Sequence, residues 1–288
     1  MTTPNLGGPT VRRILVGAQL RRLREERGIT RDDAGYVIRG SGSKISRLEL
    51  GKVSFKERDI SDLLSHYGVE DGEQREAILT LARDANAPGW WHNYDDVLPA
   101  WFETYVGLEE AASLIRTYEV QFIPGLLQTE DYARAVTVAG RPDLPREETD
   151  RRVKLRAARQ QLLLTRSPAP RLWAVIDEGA LRRPIGGSRV MRGQLEHLVE
   201  LGTLPNISIQ IMPFRFGGHA AEGGAFSILR FPEPELPDVV YVEQLVSALY
   251  LDKREQVDRY GQIFDRLTVD SQPPDLSADT LRRIISRS

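Results

Sequence analysis

One stretch constrains the fold of this chain more than any other, the run TRDDAGYVIRGSGSKISRLELGK between Thr30 and Lys52. Thr30 begins a short helix, because Asp33 follows it at the spacing of a capping box. The apolar face of this helix has the i, i+3, i+4 spacing and consists of Ala34, Val37 and Ile38. A turn rich in glycine and serine follows at residues 39–43, where a glycine can adopt a positive φ.

A second short helix is predicted at residues 41–50. Ile45 and Leu48 form its apolar face, so the polar and cationic side chains of the helix are free to point elsewhere. Gly51 ends the helix as its C′ residue. Two short helices joined by a tight turn, the second with cations outward, are the pattern of a helix-turn-helix, whose second helix enters the major groove of DNA.

This stretch resembles the lambda-repressor-like (Cro/Xre-type) helix-turn-helix family, in which one helix precedes the motif and two follow it. The run ISRLELGK at residues 45–52 carries the closest resemblance. Two positions depart from the family pattern: the turn glycine comes one residue later, after Arg39, and Gly42 replaces a glutamine that reads a base in many relatives. The resemblance implies binding to double-stranded DNA. The alternative is a small helical bundle with a solvated basic face that only dimerises.

The predicted DNA-binding residues all lie on or beside the second helix: Arg31, Ser41, Ser43, Lys44, Arg47 and Lys52. Ser43, Lys44 and Arg47 are expected to reach base edges or adjacent phosphates, whereas Arg31 and Lys52 are expected to hold the DNA backbone. The amide groups at the helix start add donors to phosphate. The family's use of palindromic sites implies a homodimer, with the two recognition helices about 34 Å apart.

Charge is divided unevenly along the chain. Residues 1–58 contain 13 lysines and arginines against 6 acidic residues, a net charge of +7, and the remaining 230 residues contain 26 against 35, a net charge of −9. This asymmetry indicates a polyanion-binding head on an acidic body. A positive field on the head would attract it to DNA, while phosphates would repel the body.

Apolar periodicity predicts three further helices around the motif, at Val11–Arg27, Lys56–Tyr67 and Asp71–Ala85. In the first of these, the residues expected to face inward are Ile14, Leu15, Ala18 and Leu23. Those expected to face outward are Arg12, Arg13, Arg21, Arg22 and Arg24. Residues 10–85 therefore form a predicted five-helix DNA-binding domain, and the breaker cluster at residues 86–89 separates it from a second domain at residues 90–288.

The second domain is predicted to be α+β, with a sheet of about four strands. The strands are expected at Arg171–Asp177, Ile207–Met212, Gly224–Phe231 and Val239–Glu243, with a short additional candidate at Tyr118–Phe122. A helix is expected over Trp101–Tyr118. The whole chain is therefore predicted to be mainly α with a smaller α+β part.

Three segments resemble the carboxyl-terminal domain of a large group of actinobacterial regulators: WWHNYDDVLPAWFETYVGLEEAA (Trp90–Ala112), RTYEVQFIPGLLQTEDYARA (Arg116–Ala135) and DVVYVEQLVSALYLD (Asp238–Asp252). That domain has no assigned chemistry. The resemblance implies an antitoxin-like transcriptional regulator, a repressor by default, whose second domain senses a small partner protein encoded nearby. The alternative is a small-molecule sensor that uses the aromatic cluster at residues 90–105, although aromatic residues at this density more often form a core or an interface.

Several function classes have no support in the sequence. No cysteine is present, so disulfides and thiolate sites are excluded, and no apolar run approaches the ~18 residues of a membrane span. The polar first ten residues do not form a signal peptide, so a cytoplasmic location is expected. Nucleotide-binding loops and hydrolase motifs are absent. His219 and Glu222 in the loop GGHAAEGG are too few for a metal site, and we predict no enzymatic activity and no cofactor.

Overall fold

The computed structural model describes residues 9–232 and 236–286 of the chain. The sequence predicts a disordered arm at residues 1–9, and this segment lies outside the described part apart from Pro9, which begins the first helix. The chain divides into two compact units. Among the described residues, the amino-terminal unit comprises residues 9–93, 106–111 and 236, and the carboxyl-terminal unit comprises residues 94–105, 112–232 and 237–286.

The amino-terminal unit contains the five predicted helices: α1 (Pro9–Glu26), α2 (Arg31–Val37), α3 (Gly42–Glu49), α4 (Glu57–His66) and α5 (Gly72–Ala85). Polar caps define where these helices begin. The Thr30 hydroxyl accepts a hydrogen bond from the Asp33 amide at 3.1 Å and donates one to the Asp33 carboxylate at 2.7 Å. Asp71 caps α5 in the same way, because its carboxylate accepts from the Glu73 amide.

The predicted orientation of α1 was wrong. Its buried side chains include Val16, Leu20 and Arg24, whereas Ala18 is exposed and the other residues predicted to face inward are only partly buried. The error arose because Arg24 was assigned to the solvent face with the other arginines. In the structure its guanidinium is buried in an ion pair, and a buried charge with a partner does not follow an apolar pattern.

The first four helices all end with paired hydrogen bonds of the Schellman type. For α3, the Lys52 amide donates to the Arg47 carbonyl and the Gly51 amide donates to the Leu48 carbonyl. Gly51 adopts the left-handed conformation that this motif requires, with φ 64°. At the end of α2 the left-handed position is occupied by Arg39, with φ 52°. Arg39 is the one described residue other than glycine with a positive φ. The displaced turn glycine noted in the sequence therefore leaves a strained arginine in its place.

Helices α1 and α3 approach each other closely at Gly17. A Cβ at this position would lie 2.6 Å from the carbonyl oxygens of Leu48 and Glu49, so a larger residue would force the helices apart. This contact fixes α3 on the core of the unit, where Ile45 and Leu48 are almost completely buried.

The carboxyl-terminal unit contains a six-stranded sheet in the order β3-β2-β1-β4-β5-β6. The strands are β1 (Leu114–Glu119), β2 (Arg171–Asp177), β3 (Ile207–Met212), β4 (Phe226–Arg230), β5 (Val239–Glu243) and β6 (Ala248–Leu251). Strands β1, β2 and β3 are parallel, whereas β4 is antiparallel to β1, β5 to β4 and β6 to β5.

The remaining helices are α6 (Ala100–Ala111), α7 (Glu130–Gly140), α8 (Arg146–Thr165), α9 (Glu178–Arg182), α10 (Ser188–Leu201), α11 (Arg254–Asp270) and α12 (Pro274–Ile285). Phe264 and Leu267 of α11 pack on one face of the sheet, around Tyr118 and Val175. The mainly helical class with a smaller α+β part is confirmed. No helix in the described ranges is long and apolar enough to cross a membrane.

The sheet has two strands more than predicted. The predicted helix Trp101–Tyr118 ends at Ala111, and the next residues form β1, which covers Leu114–Glu119 rather than Tyr118–Phe122. The short edge strand β6 was not predicted. Both are brief segments whose pairing depends on distant strands, a signal that local periodicity does not contain.

Candidate nucleic-acid interface

Local interactions define both ends and both faces of α3. Ser41 is its N-cap, and its hydroxyl accepts a hydrogen bond from the Lys44 amide at 3.3 Å. Ile45 and Leu48 point into the core, and Ser43 and Arg47 are exposed. The helix thus presents polar side chains on the side opposite its apolar face, as the sequence predicted.

A buried ion network connects α3 to its neighbours through Glu49. The Arg24 Nε lies 2.5 Å from Glu49 Oε1 and its Nη2 lies 3.2 Å from Oε2, both in buried positions. The hydrogen bond to Glu49 raises the pKa of Arg24. Arg31, at the start of α2, donates from Nε to Glu49 Oε2 at 3.1 Å. Glu49 therefore ties α3 to both α1 and α2.

Neither Arg24 nor Glu49 was identified from the sequence, although a signal was present. Glu49 follows Ile45 and Leu48 at the i, i+3, i+4 spacing of the buried face, so its position alone predicted burial. An acidic residue at such a position requires a cationic partner, and α1 contains several arginines. Which of these arginines pairs with Glu49 depends on the packing of α1 against α3.

Lys44 is held within the unit. Its Nζ lies 2.6 Å from Asp59 Oδ2 on α4, and its side chain is 31% exposed. Direct contact between Lys44 and a base therefore requires this ion pair to open. Arg31 is also engaged, with Glu49, but 46% of its side chain remains exposed.

Gly42, the first residue of α3, lies against the Asp32 side chain of α2. A Cβ at Gly42 would lie 2.3 Å from Asp32 Oδ1, so a larger residue at this position would require the exposed Asp32 carboxylate to move. With glycine at this position, α3 has no side chain there that could contact a base.

The exposed cations around α3 include one that the sequence analysis treated only as part of the turn. Arg39, shortly before α3, is exposed, and so are Arg47, in the last turn of α3, and Lys52, after its end. No described residue forms an ion pair with any of these three. Tyr36 on α2 is 86% exposed, which is unusual for a tyrosine. This exposure agrees with the helical period, which places Tyr36 opposite the apolar face formed by Ala34, Val37 and Ile38.

Two other residues noted in the sequence, Trp91 of the aromatic cluster and His219, have side chains that contact other residues of their own unit. The Trp91 side chain is fully buried within the amino-terminal unit, close to Gly89 and Gly107. His219 is anchored, since its Nε2 lies 2.9 Å from the Tyr118 hydroxyl and its Nδ1 accepts from the Ala221 amide at 3.3 Å. No group of three or more potential metal ligands occurs within residues 9–232 and 236–286.

Comparison with family models agrees with this geometry. A helix-turn-helix domain model matches residues 15–78, which include all of α2, α3 and α4. A second model, the domain of unknown function DUF5753, matches residues 102–283, which is more than half of the chain. The chain belongs to the DUF5753 family. No curated protein and no solved structure matches it.

This DUF5753 protein therefore combines a helix-turn-helix domain with a domain of unassigned function. The helix-turn-helix domain indicates a DNA-binding regulator, in agreement with the prediction from residues 30–52. The six predicted contact residues all belong to that domain.

Proposed function

We propose that this protein is a transcriptional repressor of the Cro/Xre type that binds palindromic operators as a homodimer in the cytoplasm. The observation that supports this most directly is the two-sided structure of α3. Ile45 and Leu48 fix one side to the core, while Arg47 projects from the other without an ion-pair partner among the described residues. A rigid helix with a free guanidinium can enter a major groove and donate two hydrogen bonds to a guanine.

The contacts divide by their chemistry. Arg47 and Ser43 read base edges, because both are exposed on α3 and neither the Ser43 hydroxyl nor the Arg47 guanidinium has a side-chain partner among the described residues. Lys52 and the exposed part of Arg31 bind phosphates, together with Ser41 and the amide groups at the start of α3. Lys44 contributes only after its ion pair with Asp59 opens, so its share of the binding free energy is the smaller one.

The carboxyl-terminal unit then sets DNA occupancy in response to a small partner protein encoded nearby. Support comes from an exposed apolar hairpin between β5 and β6, in which Leu245 is completely exposed and Val246 is 83% exposed. Exposed apolar clusters of this kind are found where proteins bind one another. The alternative regulator is a small molecule bound by this unit.

The proposal is tested by selecting bound sequences from a random DNA library with the intact protein, then titrating the selected duplex by fluorescence anisotropy. Arg47→Ala is expected to cost about 1–3 kcal/mol and to relax preference at one base pair. Lys52→Ala is expected to weaken binding to all sequences alike and to lower the salt slope by about one.

Arg22→Ala is the matched control, because it removes one arginine from the exposed side of α1, where Arg22 pairs with Glu26. It should leave base preference unchanged. If Arg47→Ala titrates like the unaltered protein, the assigned recognition face is wrong. Sedimentation that finds only monomers, with and without the selected duplex, would remove the homodimer from the proposal.

A further inference from the structure

The two edges of the six-stranded sheet differ in how their backbone groups are satisfied. Strand β3 forms one edge, and its Ile211 amide donates to the Ser277 hydroxyl at 3.0 Å, while the Gln272 amide donates to the Ile211 carbonyl at 2.9 Å. The start of α12 and the residues just before it therefore cover this edge. Strand β6 forms the other edge, and no further described strand pairs with it on its outer side.

The hairpin of β5 and β6 determines which backbone groups of β6 point outward. The Gln244 amide donates to the Ser247 carbonyl at 2.9 Å, so these two residues form a hydrogen-bonded pair at the hairpin turn. Because hydrogen-bonded and non-hydrogen-bonded pairs alternate along an antiparallel ladder, Leu249 is hydrogen-bonded to β5. The amide and carbonyl groups of Ala248 and Tyr250 consequently point away from β5. No hydrogen bond to these outward groups is found in the described part of the chain.

Exposed apolar side chains accompany these outward backbone groups. Leu245 and Val246 at the hairpin turn are exposed, and Leu249 in the middle of β6 is 54% exposed. Sheet edges in natural proteins are normally protected from pairing by charged residues, proline or a bulge. Residues 244–251 contain no charged residue and no proline, and the register of β6 with β5 contains no bulge. The β6 edge thus has none of these protections.

Strand β6 is fixed in place although its edge is open. On one face of the sheet, the Tyr250 hydroxyl donates to the Trp101 carbonyl at 2.6 Å, and the Tyr250 ring lies 5.3 Å from that of Tyr241. On the other face, Leu251 packs against the core that α11 covers, and Leu249 lies on this face beside it. The edge is therefore held in a conformation in which another strand can add to it.

We propose that β6 pairs antiparallel with β6 of a second copy of this chain, about a two-fold axis at Leu249. In this register Ala248 of each copy lies opposite Tyr250 of the other, and their outward groups form about four backbone hydrogen bonds. Of the symmetric registers, this is the one that pairs both residues within β6. The two Leu249 side chains meet at the axis in a non-hydrogen-bonded pair, with Cα atoms about 4.5 Å apart.

Charge favours a second copy as the occupant of this edge. Like charges directly opposite each other would destabilise the pairing of identical strands, whereas residues 244–251 are uncharged. An antiparallel arrangement also brings the turn of one hairpin, next to Glu243, towards the end of the other β6. One acidic and two basic residues follow there, at positions 252–254. Opposite charges therefore approach each other at both ends of the interface.

This inference rests on the homodimer of the proposed function and gives that homodimer an interface. One strand edge holds one strand at a time. A partner protein that binds the hairpin would therefore have to displace the second copy.

The first test measures self-association of the intact protein by analytical ultracentrifugation over a wide concentration range. Leu249→Lys should raise the dissociation constant of the dimer by about tenfold or more, because it removes the central leucines and places like charges opposite each other. Leu276→Lys is the matched control, since Leu276 on α12 is 52% exposed and lies outside β6. It should leave the dissociation constant unchanged.

The second test uses cross-linking and depends on the register. The chain contains no cysteine, so each single-cysteine variant has one thiol. Leu249→Cys places the two thiols at the axis, within the Cα separation of about 4.4–6.8 Å that a disulfide requires. Ser247→Cys on the same hairpin places them about 14 Å apart along the strands. Under mild oxidation, Leu249→Cys should form a covalent dimer and Ser247→Cys should not.

Any of three results would overturn this interface. A dimer that Leu249→Lys leaves as tight as the unaltered protein would place the interface elsewhere and keep the proposed homodimer. Covalent dimers that form equally well in Ser247→Cys and Leu249→Cys would exclude the register. A monomer at every concentration, with and without the selected duplex, would remove the homodimer as well and leave the edge to a partner protein. Arg47→Ala should dimerise like the unaltered protein, so failure of DNA recognition and failure of this interface are separately visible.

Discussion

The two units of this protein treat buried charge in opposite ways. In the amino-terminal unit, Arg24 and Glu49 neutralise each other through two hydrogen bonds. In the carboxyl-terminal unit, burial lowers the pKa of Arg156 and raises that of Glu119, and a like charge adds to each shift, Arg159 for Arg156 and Glu243 for Glu119. The first arrangement holds helices together. The second makes the charged forms of Arg156 and Glu119 less favourable, because burial and like charges act in the same direction.

The largest expected effect tests the neutralised pair. Glu49→Gln leaves the buried Arg24 guanidinium with only the exposed Glu25 carboxylate, 3.3 Å from its Nη2, as a counter-charge, so it should lower the free energy of unfolding by about 3 kcal/mol. Urea denaturation followed by circular dichroism measures the loss. Glu26→Gln makes the same chemical change at the exposed partner of Arg22, outside this network, and should have only a small effect. Equal losses in the two variants would show that the Arg24–Glu49 pair has no special structural role.

The second prediction is an increase in the free energy of unfolding, and it tests the two neighbouring carboxyl groups of Glu119 and Glu243. Because the pKa of Glu119 is raised from 4.5 to about 8, the folded protein retains a proton that the unfolded chain has lost, and stability falls as pH rises through this window. Glu119→Gln removes this penalty. It should therefore increase the free energy of unfolding by roughly 1–3 kcal/mol at pH 8 and leave it nearly unchanged at pH 4.

Urea denaturation at both pH values checks this result, with Glu222→Gln as the control, since Glu222 is an exposed glutamate in the loop before β4. A Glu119→Gln variant that is less stable than the unaltered protein at pH 8 would mean that Glu119 is ionised and paired in solution. The contrast between the two units would then disappear.

The same contrast explains what the sequence could predict. Helix boundaries in the amino-terminal unit depend on adjacent residues, and the start of α2 after Thr30 and the end of α3 at Gly51 were predicted correctly. Helix α1, in contrast, begins at Pro9 rather than at the predicted Val11. The orientation of α1 was not predicted correctly, because Arg24 pairs with a residue 25 positions away. Packing between distant segments, rather than local propensity, determines such a contact.

The positions of the buried charges in the carboxyl-terminal unit could not be predicted from the sequence for a related reason. Glu119 was not recognised as the end of a strand, and Arg156 is one of several arginines in a long charged helix. Only the register of β1, β4 and β5 brings Glu119 and Glu243 to one edge of the sheet. The proposed DNA contacts could be proposed from the sequence because most of them lie within or next to one short helix. The Lys44–Asp59 ion pair between α3 and α4 could not be predicted in this way.

The smallest expected effect separates charge from backbone strain. Arg39 is exposed and belongs to neither kind of buried pair, but it holds the left-handed position at the end of α2. Arg39→Gly should increase the free energy of unfolding by about 1 kcal/mol, because glycine adopts this conformation without strain. Arg39→Ala removes the same charge and keeps the strain, so it should produce almost no gain. If both variants gain equally in urea denaturation, repulsion among the cations around α3 limits stability there, and unbalanced charge would be a feature of both units.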